Sequence, residues 1–384
     1  MAELTHRQRV ATALSHQEPD RVPIDFGGRS LINTRAYSRL AKHLGLDDEV
    51  RRAGLRDPSD TIVPCEELMD RFGSDFRRVP LSPPDYRTQE QLDERTRRNE
   101  WGVTSIRPED GHYLPEVGPF QKELPTVADM DRHPWPDFRD PERVRGLGER
   151  AQKLHEETDY AVMLALNYGV VRECQRMRGF GEWMEDLLLN PAIADALMDR
   201  VTDVSVGIAQ LALEQAGPHV DVVNFPDDMG FQDRSYVRQE VYRQRIKPYH
   251  RRLVEAIKSR TDAKVLMHSD GSVYDLIPDF IDIGVDALNP VQVSAKDMGS
   301  ARLKAEFGDH LSFWGAIDTQ GALPFGSTDD VVAEVRTRIG DLAPGGGYVL
   351  GSVHNILAEV SPENIVAMFE AALEHGRYGQ PAPA

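Results

Sequence analysis

Residues 264–289 read KVLMHSDGSVYDLIPDFIDIGVDALN and carry the clearest structural pattern in the chain. The stretch begins with an apolar run, Lys264–His268, which predicts a short buried strand. From 273 to 283 the apolar residues recur at i, i+1, i+4 and i+5, which predicts a helix. A second apolar run, 286–289, follows directly. A strand, a helix and another strand in close succession are typical of a βα unit in a parallel sheet.

The same alternation extends over most of the chain. Further strands are predicted at 22–26, 160–166, 220–225, 311–317 and 347–351, and helices at 34–44, 182–189, 235–259, 300–307, 329–342 and 362–375. Seven predicted strands in 384 residues favour a closed (β/α)8 barrel over an open doubly wound sheet. No Gly-x-Gly-x-x-Gly follows an early strand, which also disfavours the open sheet.

The segment 57–140 interrupts this pattern because it is irregular and rich in proline, arginine and aspartate. We predict that it forms inserted loops or a cap on the barrel. The sequence therefore predicts an α/β fold, a single TIM-barrel domain over 1–384 with insertions in its N-terminal half.

Composition excludes several classes of function. The chain has 45 Lys and Arg against 63 Asp and Glu, a net charge of −18, which argues against a nucleic-acid partner or an anionic membrane surface. Cys65 and Cys174 are the only cysteines, so a disulfide framework or a cysteine-rich zinc site is excluded. The N-terminal residues lack the apolar run of a signal peptide, and no stretch has the roughly 18 apolar residues of a membrane span. We expect a cytoplasmic protein.

Polar residues follow nearly every predicted strand, where the active site of a barrel is built. They are Asn167, Tyr168 and Arg172 after 160–166, Asp227, Asp228 and Gln232 after 220–225, His268 and Asp270 after 264–267, Asn289 and Gln292 after 286–288, Asp318 and Gln320 after 311–317, and Ser352, His354 and Asn355 after 347–351. A single aspartate here could simply cap the next helix. The joint pattern of two histidines and several carboxylates at one end of one sheet favours a functional site.

Two kinds of chemistry suit these residues. His268 and Asp270 are two positions apart on extended backbone, so their side chains point the same way and could bind a metal with His354 or Asp228 as third ligand. Imidazole and carboxylate ligands are typical of catalytic zinc and also suit manganese or iron. The same groups could instead act as general acid and base without metal. Serine-nucleophile, His-Glu-x-x-His and Walker A motifs are absent.

Several longer segments resemble the uroporphyrinogen decarboxylase superfamily. They are HQEPDRVPIDFGG (16–28), FGSDFRRVP (72–80), RMRGFGEWMEDLLLNP (176–191), NFPDDMGFQ (224–232), MHSDGSVYDLIPDFIDIGVDALNPVQ (267–292), FWGAIDTQGALPFG (313–326) and GGGYVLGSVHNI (345–356). The chain is most similar to the bacterial branch that includes the methylcobamide:thiol methyltransferases. The resemblance implies a (β/α)8 barrel, a divalent metal, above all zinc, and cobalamin (a corrinoid) as methyl donor or acceptor.

The resemblance has two departures. The thiol methyltransferases bind zinc with His-x-Cys and a later Cys, but Asp270 stands in place of the first Cys and His354 close to the second. The implied ligands here are therefore His268, Asp270 and His354, and transfer to a thiol is disfavoured. The porphyrinogen decarboxylases have an early arginine-rich segment, whereas DFGGRSLINTR offers only Arg29 and Arg35, which disfavours a porphyrinogen substrate.

Our leading hypothesis is a metal-dependent, methyltransferase-like enzyme acting on a small methylated substrate or on the methyl group of a corrinoid. The predicted metal ligands are His268, Asp270 and His354, the predicted catalytic residues are Asp228, Asn167, Tyr168 and His354, and the predicted substrate-binding residues are Asn289, Gln292, Asp318, Gln320, Arg172 and Asp227. A corrinoid protein and a second copy of the chain are candidate partners. The alternatives are a decarboxylase or lyase using Asp228 and His354, and a non-catalytic barrel that binds a corrinoid or a partner.

Overall fold

The computed structural model describes residues 3–46, 61–81, 89–108, 114–121 and 123–379. Its strands are β1 (Ile32–Asn33), β2 (Thr61–Ile62), β3 (Phe76–Pro80), β4 (Gln89–Gln91), β5 (Thr96–Asn99), β6 (Thr104–Ile106), β7 (Leu114–Val117), β8 (Ala161–Ala165), β9 (Val222–Pro226), β10 (Lys264–His268), β11 (Ala287–Asn289), β12 (Ser312–Ile317) and β13 (Tyr348–Ser352). The order β13-β12-β11-β10-β9-β8-β3 forms one seven-stranded sheet, in which every pair of neighbours is parallel.

Helices connect the strands and cover the outside of this sheet. They are α1 (His6–Ala13), α2 (Thr34–His43), α3 (Glu66–Arg71), α4 (Val127–Arg132), α5 (Leu147–Glu157), α6 (Val171–Arg178), α7 (Phe180–Leu189), α8 (Pro191–Ala216), α9 (Gln239–Val241), α10 (Lys247–Lys258), α11 (Ile277–Asp282), α12 (Ser300–Phe307), α13 (Ala322–Phe325), α14 (Thr328–Leu342) and α15 (Pro362–His375). Short 3-10 turns lie at Pro141–Val144, Gly217–His219 and Tyr274–Leu276, and a π turn at Tyr242–Ile246. Among the described helices, none is both long and apolar enough to cross a membrane.

The segment 22–26 closes the sheet into a barrel. Ile24 forms a parallel bridge with Leu350 of β13 on one side. On the other side, the backbone N–H of Asp75, just before β3, donates to the carbonyl oxygen of Ile24 at 2.8 Å. The predicted strand at 22–26 thus occupies the eighth position, held by single bridges rather than by a continuous ladder. The predicted (β/α)8 fold is confirmed.

Ten buried residues form an apolar cluster that fills the interior of the barrel, which we call the apolar floor. Its members are Val10, Leu14, Phe76, Ala161, Met163, Val222, Leu266, Ala287, Trp314 and Val349. Every strand of the seven-stranded sheet contributes to it, while Val10 and Leu14 come from α1 and the residue that caps it. Because side chains alternate along a strand, Arg78, His268 and Asn289 also point inward, two positions beyond floor residues. These polar side chains stand between the floor and the carboxyl ends of the strands.

The insertion contains more regular structure than the sequence predicts. Our interpretation of 57–140 as loops or a cap is wrong over Phe76–Pro80, because this stretch is β3 of the barrel. Two consecutive arginines in FRRVP conceal the strand, although both are largely buried. Strands β4 to β7 form a separate four-stranded antiparallel sheet, which agrees with a cap. Parts of the predicted cap, at 57–60, 82–88, 109–113 and 122, lie outside the described residues.

Candidate metal centre and active site

Three potential metal ligands meet at the carboxyl end of the barrel. His268 ends β10, Asp270 follows in the next turn, and His354 follows β13. One ligand atom from each lies within 4.8 Å of those of the other two. Nε2 of His268 is 3.5 Å from Oδ2 of Asp270, and the two imidazole ring centres are 6.2 Å apart. The structure therefore brings together the three residues predicted as metal ligands, which we call the triad.

A hydrogen bond fixes the orientation of His268. Its Nδ1 lies 2.7 Å from Oδ1 of Asn289, the residue beside it on the adjacent strand β11. Because an amide oxygen only accepts, Nδ1 of His268 is the donor in this hydrogen bond, and Nε2 is the ring nitrogen that faces Asp270. Asn289 was predicted to bind substrate, but it is buried and lies behind His268 instead. Such a partner is common for histidines that ligate metals.

The charge of the triad also suits a cation. Burial raises the pKa of Asp270, but His268, His354 and Arg29 outweigh that effect and lower the pKa to about 2. Burial lowers the pKa of His354, and the nearby carboxylate of Asp270 offsets this only in part. At neutral pH the carboxylate is ionised and the His354 imidazole is neutral, the forms that ligate metals. The donor set thus fits a divalent cation such as zinc.

Asp228 borders the triad as predicted. Its Oδ1 accepts a hydrogen bond from the backbone N–H of Asp270 at 3.0 Å and lies 3.9 Å from Nε2 of His268. Its side chain is 36% exposed, so the carboxylate is accessible from the solvent. This position allows Asp228 to exchange a proton with a substrate at the triad.

A cavity of about 430 Å³ opens beside Asp270 and His354, and its wall is rich in amides. The side chain of Gln292 donates to Gln232 at 3.0 Å, and Gln232 donates to Gln320 at 3.0 Å. Gln292 and Gln320 were predicted to bind substrate, and the structure places both on this wall. Their amides can match either donors or acceptors on a small molecule.

Asp227 lies apart from the triad despite being next to Asp228 in sequence. Its side chain is fully buried, and its carboxylate accepts the backbone N–H groups of Val170 at 2.6 Å and Arg172 at 2.7 Å. Nε2 of the buried His250 lies 3.1 Å from the same carboxylate. Asp227 therefore anchors the start of α6, and its buried carboxylate is bonded to protein groups rather than placed to contact a substrate.

Three other predicted residues have contacts outside the triad. Tyr168 bonds to Glu100 and Arg143, each at 3.1 Å, and both burial and Glu100 raise the pKa of its hydroxyl. Asp318 accepts the backbone N–H of Gln320 at 2.9 Å, as expected for a turn residue.

The remaining residue, Asn167, has a left-handed backbone with φ of 59° and accepts hydrogen bonds from two arginines, Arg78 and Arg172. The side-chain oxygen and the backbone carbonyl of Asn167 thus accept hydrogen bonds from these arginines and do not contact the triad.

Our sequence predictions of the site missed two arginines, Arg78 beside Asn167 and Arg176 in a cavity shared with Arg172 and Asp228. The inward position of Arg78 follows from strand alternation, so recognising FRRVP as a strand would have found it. Arg176 lies on α6 one helical turn after Arg172, a spacing that places both on one face.

Arg29 is carried by a loop that the buried Asp25 organises. Oxygens of Asp25 accept the backbone N–H groups of Gly28 at 2.9 Å, Arg29 at 2.9 Å and Ser30 at 3.1 Å. The indole N–H of Trp314 donates to the same carboxylate at 2.8 Å. Burial raises the pKa of Asp25, and these four donors oppose that effect. This network joins the loop to the apolar floor and brings Arg29 near Asp270, whose charge acts on it.

The chain is similar to known proteins in sequence and in fold. It is 28% identical to a uroporphyrinogen decarboxylase from Pelodictyon phaeoclathratiforme over 188 residues, which are 48% of this chain and 50% of that protein. A uroporphyrinogen decarboxylase from Chlorobium phaeobacteroides is 24% identical over 188 residues, with the same coverage. The chain thus spans about half the length of the curated relatives it matches.

A methyltransferase from Methanosarcina mazei shares the fold, with a TM-score of 0.63 and 18% identity over 97% of this chain and 99% of that protein. The family model described as uroporphyrinogen decarboxylase (URO-D) matches residues 112–375, a range that includes β8 to β13 and the whole triad. The chain therefore belongs to the uroporphyrinogen decarboxylase (URO-D) family.

Proposed function

We propose that this chain is a metal-dependent, methyltransferase-like enzyme whose triad binds a divalent cation. The observation that carries the proposal is the meeting of His268, Asp270 and His354, with ligand atoms within 4.8 Å of one another, at the end of a barrel where active sites form. A bound zinc ion would supply Lewis acidity to a substrate heteroatom. The methyl-transfer part of the proposal rests on the resemblance to the bacterial methyltransferase branch.

The chain's own residues have distinct tasks in this proposal. Asn289 holds His268 so that Nε2 faces the triad. Asp228 is partly exposed beside the triad and gives or takes a proton at the substrate. Gln292 and Gln320 orient a small methylated molecule in the cavity of about 430 Å³. A corrinoid, free or protein-bound, is the proposed methyl donor or acceptor.

Metal analysis of protein purified without chelators tests the proposal. We expect close to one equivalent of a divalent metal per chain, and less than about a tenth of an equivalent, with no uptake on adding zinc, would refute it. His268→Ala and Asp270→Ala should each lower the affinity by roughly 10-fold or more. Asp318→Ala removes a carboxylate from a nearby turn and should leave the affinity unchanged.

A decarboxylase or lyase is the second candidate. It is supported by the names of the curated relatives and by the position of Asp228, 3.9 Å from His268, as an acid or base. Methyl transfer from methylcobalamin, measured beside carbon dioxide release from a panel of carboxylic acids, separates the two activities. Tight binding of a corrinoid protein without either activity would support the non-catalytic alternative.

A further inference from the structure

A second cavity, of about 480 Å³, shares Asp228 with the region around the triad. The polar side chains on its wall include Arg172, Gln175, Arg176 and Gln121. Two guanidinium groups and two amides thus face a single carboxylate. The lining offers many more hydrogen-bond donors than negative charges, although the whole chain has a net charge of −18.

Arg172 is held in place by the protein. Its backbone N–H donates to Asp227 at 2.7 Å, and its Nε donates to Oε1 of the buried Glu173 at 3.0 Å. Its Nη2 donates to the carbonyl oxygen of Asn167. The guanidinium is therefore fixed by one carboxylate and one carbonyl before any ligand arrives, which lowers the entropic cost of binding.

Arg176 has no comparable partner. Its nearest carboxylate is Glu173 at 3.9 Å, which Arg172 already approaches to 2.8 Å. No hydrogen bond joins the Arg176 side chain to another described residue. Nε2 of Gln175, on the wall of the same cavity, is buried without a hydrogen-bond partner in the described part of the chain. A buried donor without an acceptor lowers the stability of the protein, so an acceptor bound at this wall would gain a hydrogen bond that the protein does not supply.

A third arginine, Arg78, is linked to Arg172 through Asn167 but does not line this cavity. Its Nη2 donates to the side-chain oxygen of Asn167 at 3.2 Å, and its Nη1 donates to the carbonyl of Gly28 at 3.2 Å. Asn167 therefore bonds to Arg78 through its side chain and to Arg172 through its backbone. Within the described ranges, no carboxylate lies within ion-pair distance of Arg78. Burial, reinforced by the charge of Arg29, lowers the pKa of Arg78 to about 10.

We propose that Arg172, Arg176 and Gln175 form an oxyanion subsite, and that the substrate carries a carboxylate or phosphate group which binds there. The planar guanidinium fork matches both groups, and a bound anion would supply the acceptors that this wall lacks. The inference rests on the proposed function, because it assigns a second recognition element to the same active site. Asp228 then separates the anchored group from the part of the substrate at the triad.

Calorimetric titration of the chelator-treated protein with inorganic phosphate and with malonate tests the subsite. We expect saturable binding of one anion per chain, with the better probe identifying phosphate or carboxylate as the preferred group. Arg176→Gln should weaken binding by about 10-fold or more, and Arg176→Lys by less, because lysine keeps the charge without the fork. Arg200→Gln, at an exposed arginine of α8 that pairs with Asp131, is the matched control and should bind normally.

Two results would overturn the proposal. One is the absence of saturable binding of either anion to the unmodified chain. The other is an equal effect of Arg176→Gln and Arg200→Gln, measured on variants whose thermal unfolding matches that of the unmodified protein. The titration is done without metal, so the two proposals are tested separately: anion binding by a chain that takes up no zinc would refute only the metal proposal. Metal binding without anion binding would refute only the subsite.

Discussion

Nδ1 of His268 lies 2.7 Å from Oδ1 of Asn289, and the two residues are register partners on the parallel strands β10 and β11. The sheet itself therefore sets the direction of the His268 imidazole. Asn289 is buried and also donates to the carbonyl oxygen of Trp314 at 3.4 Å, so it is held from both sides. A ligand oriented in this way loses little freedom when it binds an ion.

Replacing Asn289 with alanine should lower metal affinity by about 10- to 100-fold, because His268 loses the acceptor that fixes its proton on Nδ1. Competition with a chromogenic chelator measures the change. Asn289→Asp retains an acceptor at the same position and should lose less. Unchanged affinity in Asn289→Ala would show that the strand backbone alone orients His268.

Asp75 should control stability in acid. It is fully buried and pairs with Arg9 and Arg21, each at 2.8 Å. Burial raises the pKa of Asp75, but the hydrogen bond from His6 and the two arginines outweigh this and lower the pKa below 3.8. The ionised carboxylate thus stabilises the fold above about pH 4, and the stabilisation is lost as the pH falls through the lowered pKa.

Asp75→Asn should accordingly lower the free energy of unfolding by about 3–5 kcal/mol at neutral pH, because the buried Arg21 loses its carboxylate partner and Arg9 keeps only Asp20. Urea unfolding at several pH values measures this, and the gap between variant and unmodified protein should narrow below about pH 4. Asp262→Asn, at an exposed site, is the control and should leave the free energy unchanged. A gap that is constant with pH would contradict the assignment.

Asp227→Asn should loosen the start of α6. The amide that replaces one carboxylate oxygen is a donor and would face the N–H groups of Val170 and Arg172, which now bond to that carboxylate. We expect a loss of about 1–3 kcal/mol in the free energy of unfolding. Faster hydrogen exchange at these two amides would locate the effect. Slow exchange equal to that of the unmodified chain would show that α6 does not depend on this anchor.

The two cysteines should differ in reactivity. Cys174 is fully buried, and burial raises the pKa of its thiol well above the ordinary value, whereas Cys65 is partly exposed. A thiol-reactive chromophore should therefore label one thiol per folded chain and two in denaturant. Cys65→Ser should abolish the labelling of the folded chain. Rapid modification of both thiols before denaturation would contradict the burial of Cys174.

The barrel and the triad were predictable because both depend on short-range patterns. Strand and helix periods differ, so β10 and α15 are apparent in the sequence, and His268 and His354 follow strands whose carboxyl ends must meet. The sequence could not separate Asp227 from Asp228. These neighbours differ only in the direction of their side chains, which places the Asp227 carboxylate at the start of α6 and the Asp228 carboxylate beside the triad.

The failure at β3 has a different cause. Phe76–Pro80 has two arginines, and an inward-facing arginine is tolerated only because Asn167 and the carbonyl of Gly28 accept its hydrogen bonds. Those acceptors come from distant parts of the chain. Local composition therefore predicts a loop where long-range contacts produce a strand.

The apolar floor limits the routes by which a molecule can reach the triad. Val10 and Leu14 cover its lower side and are almost completely buried, so the floor offers no path along the barrel axis within the described residues. Among the described residues, the triad is therefore open only toward the carboxyl ends of the strands. A molecule that binds at the triad would therefore enter and leave through the same opening, and one molecule would have to leave before the next could enter.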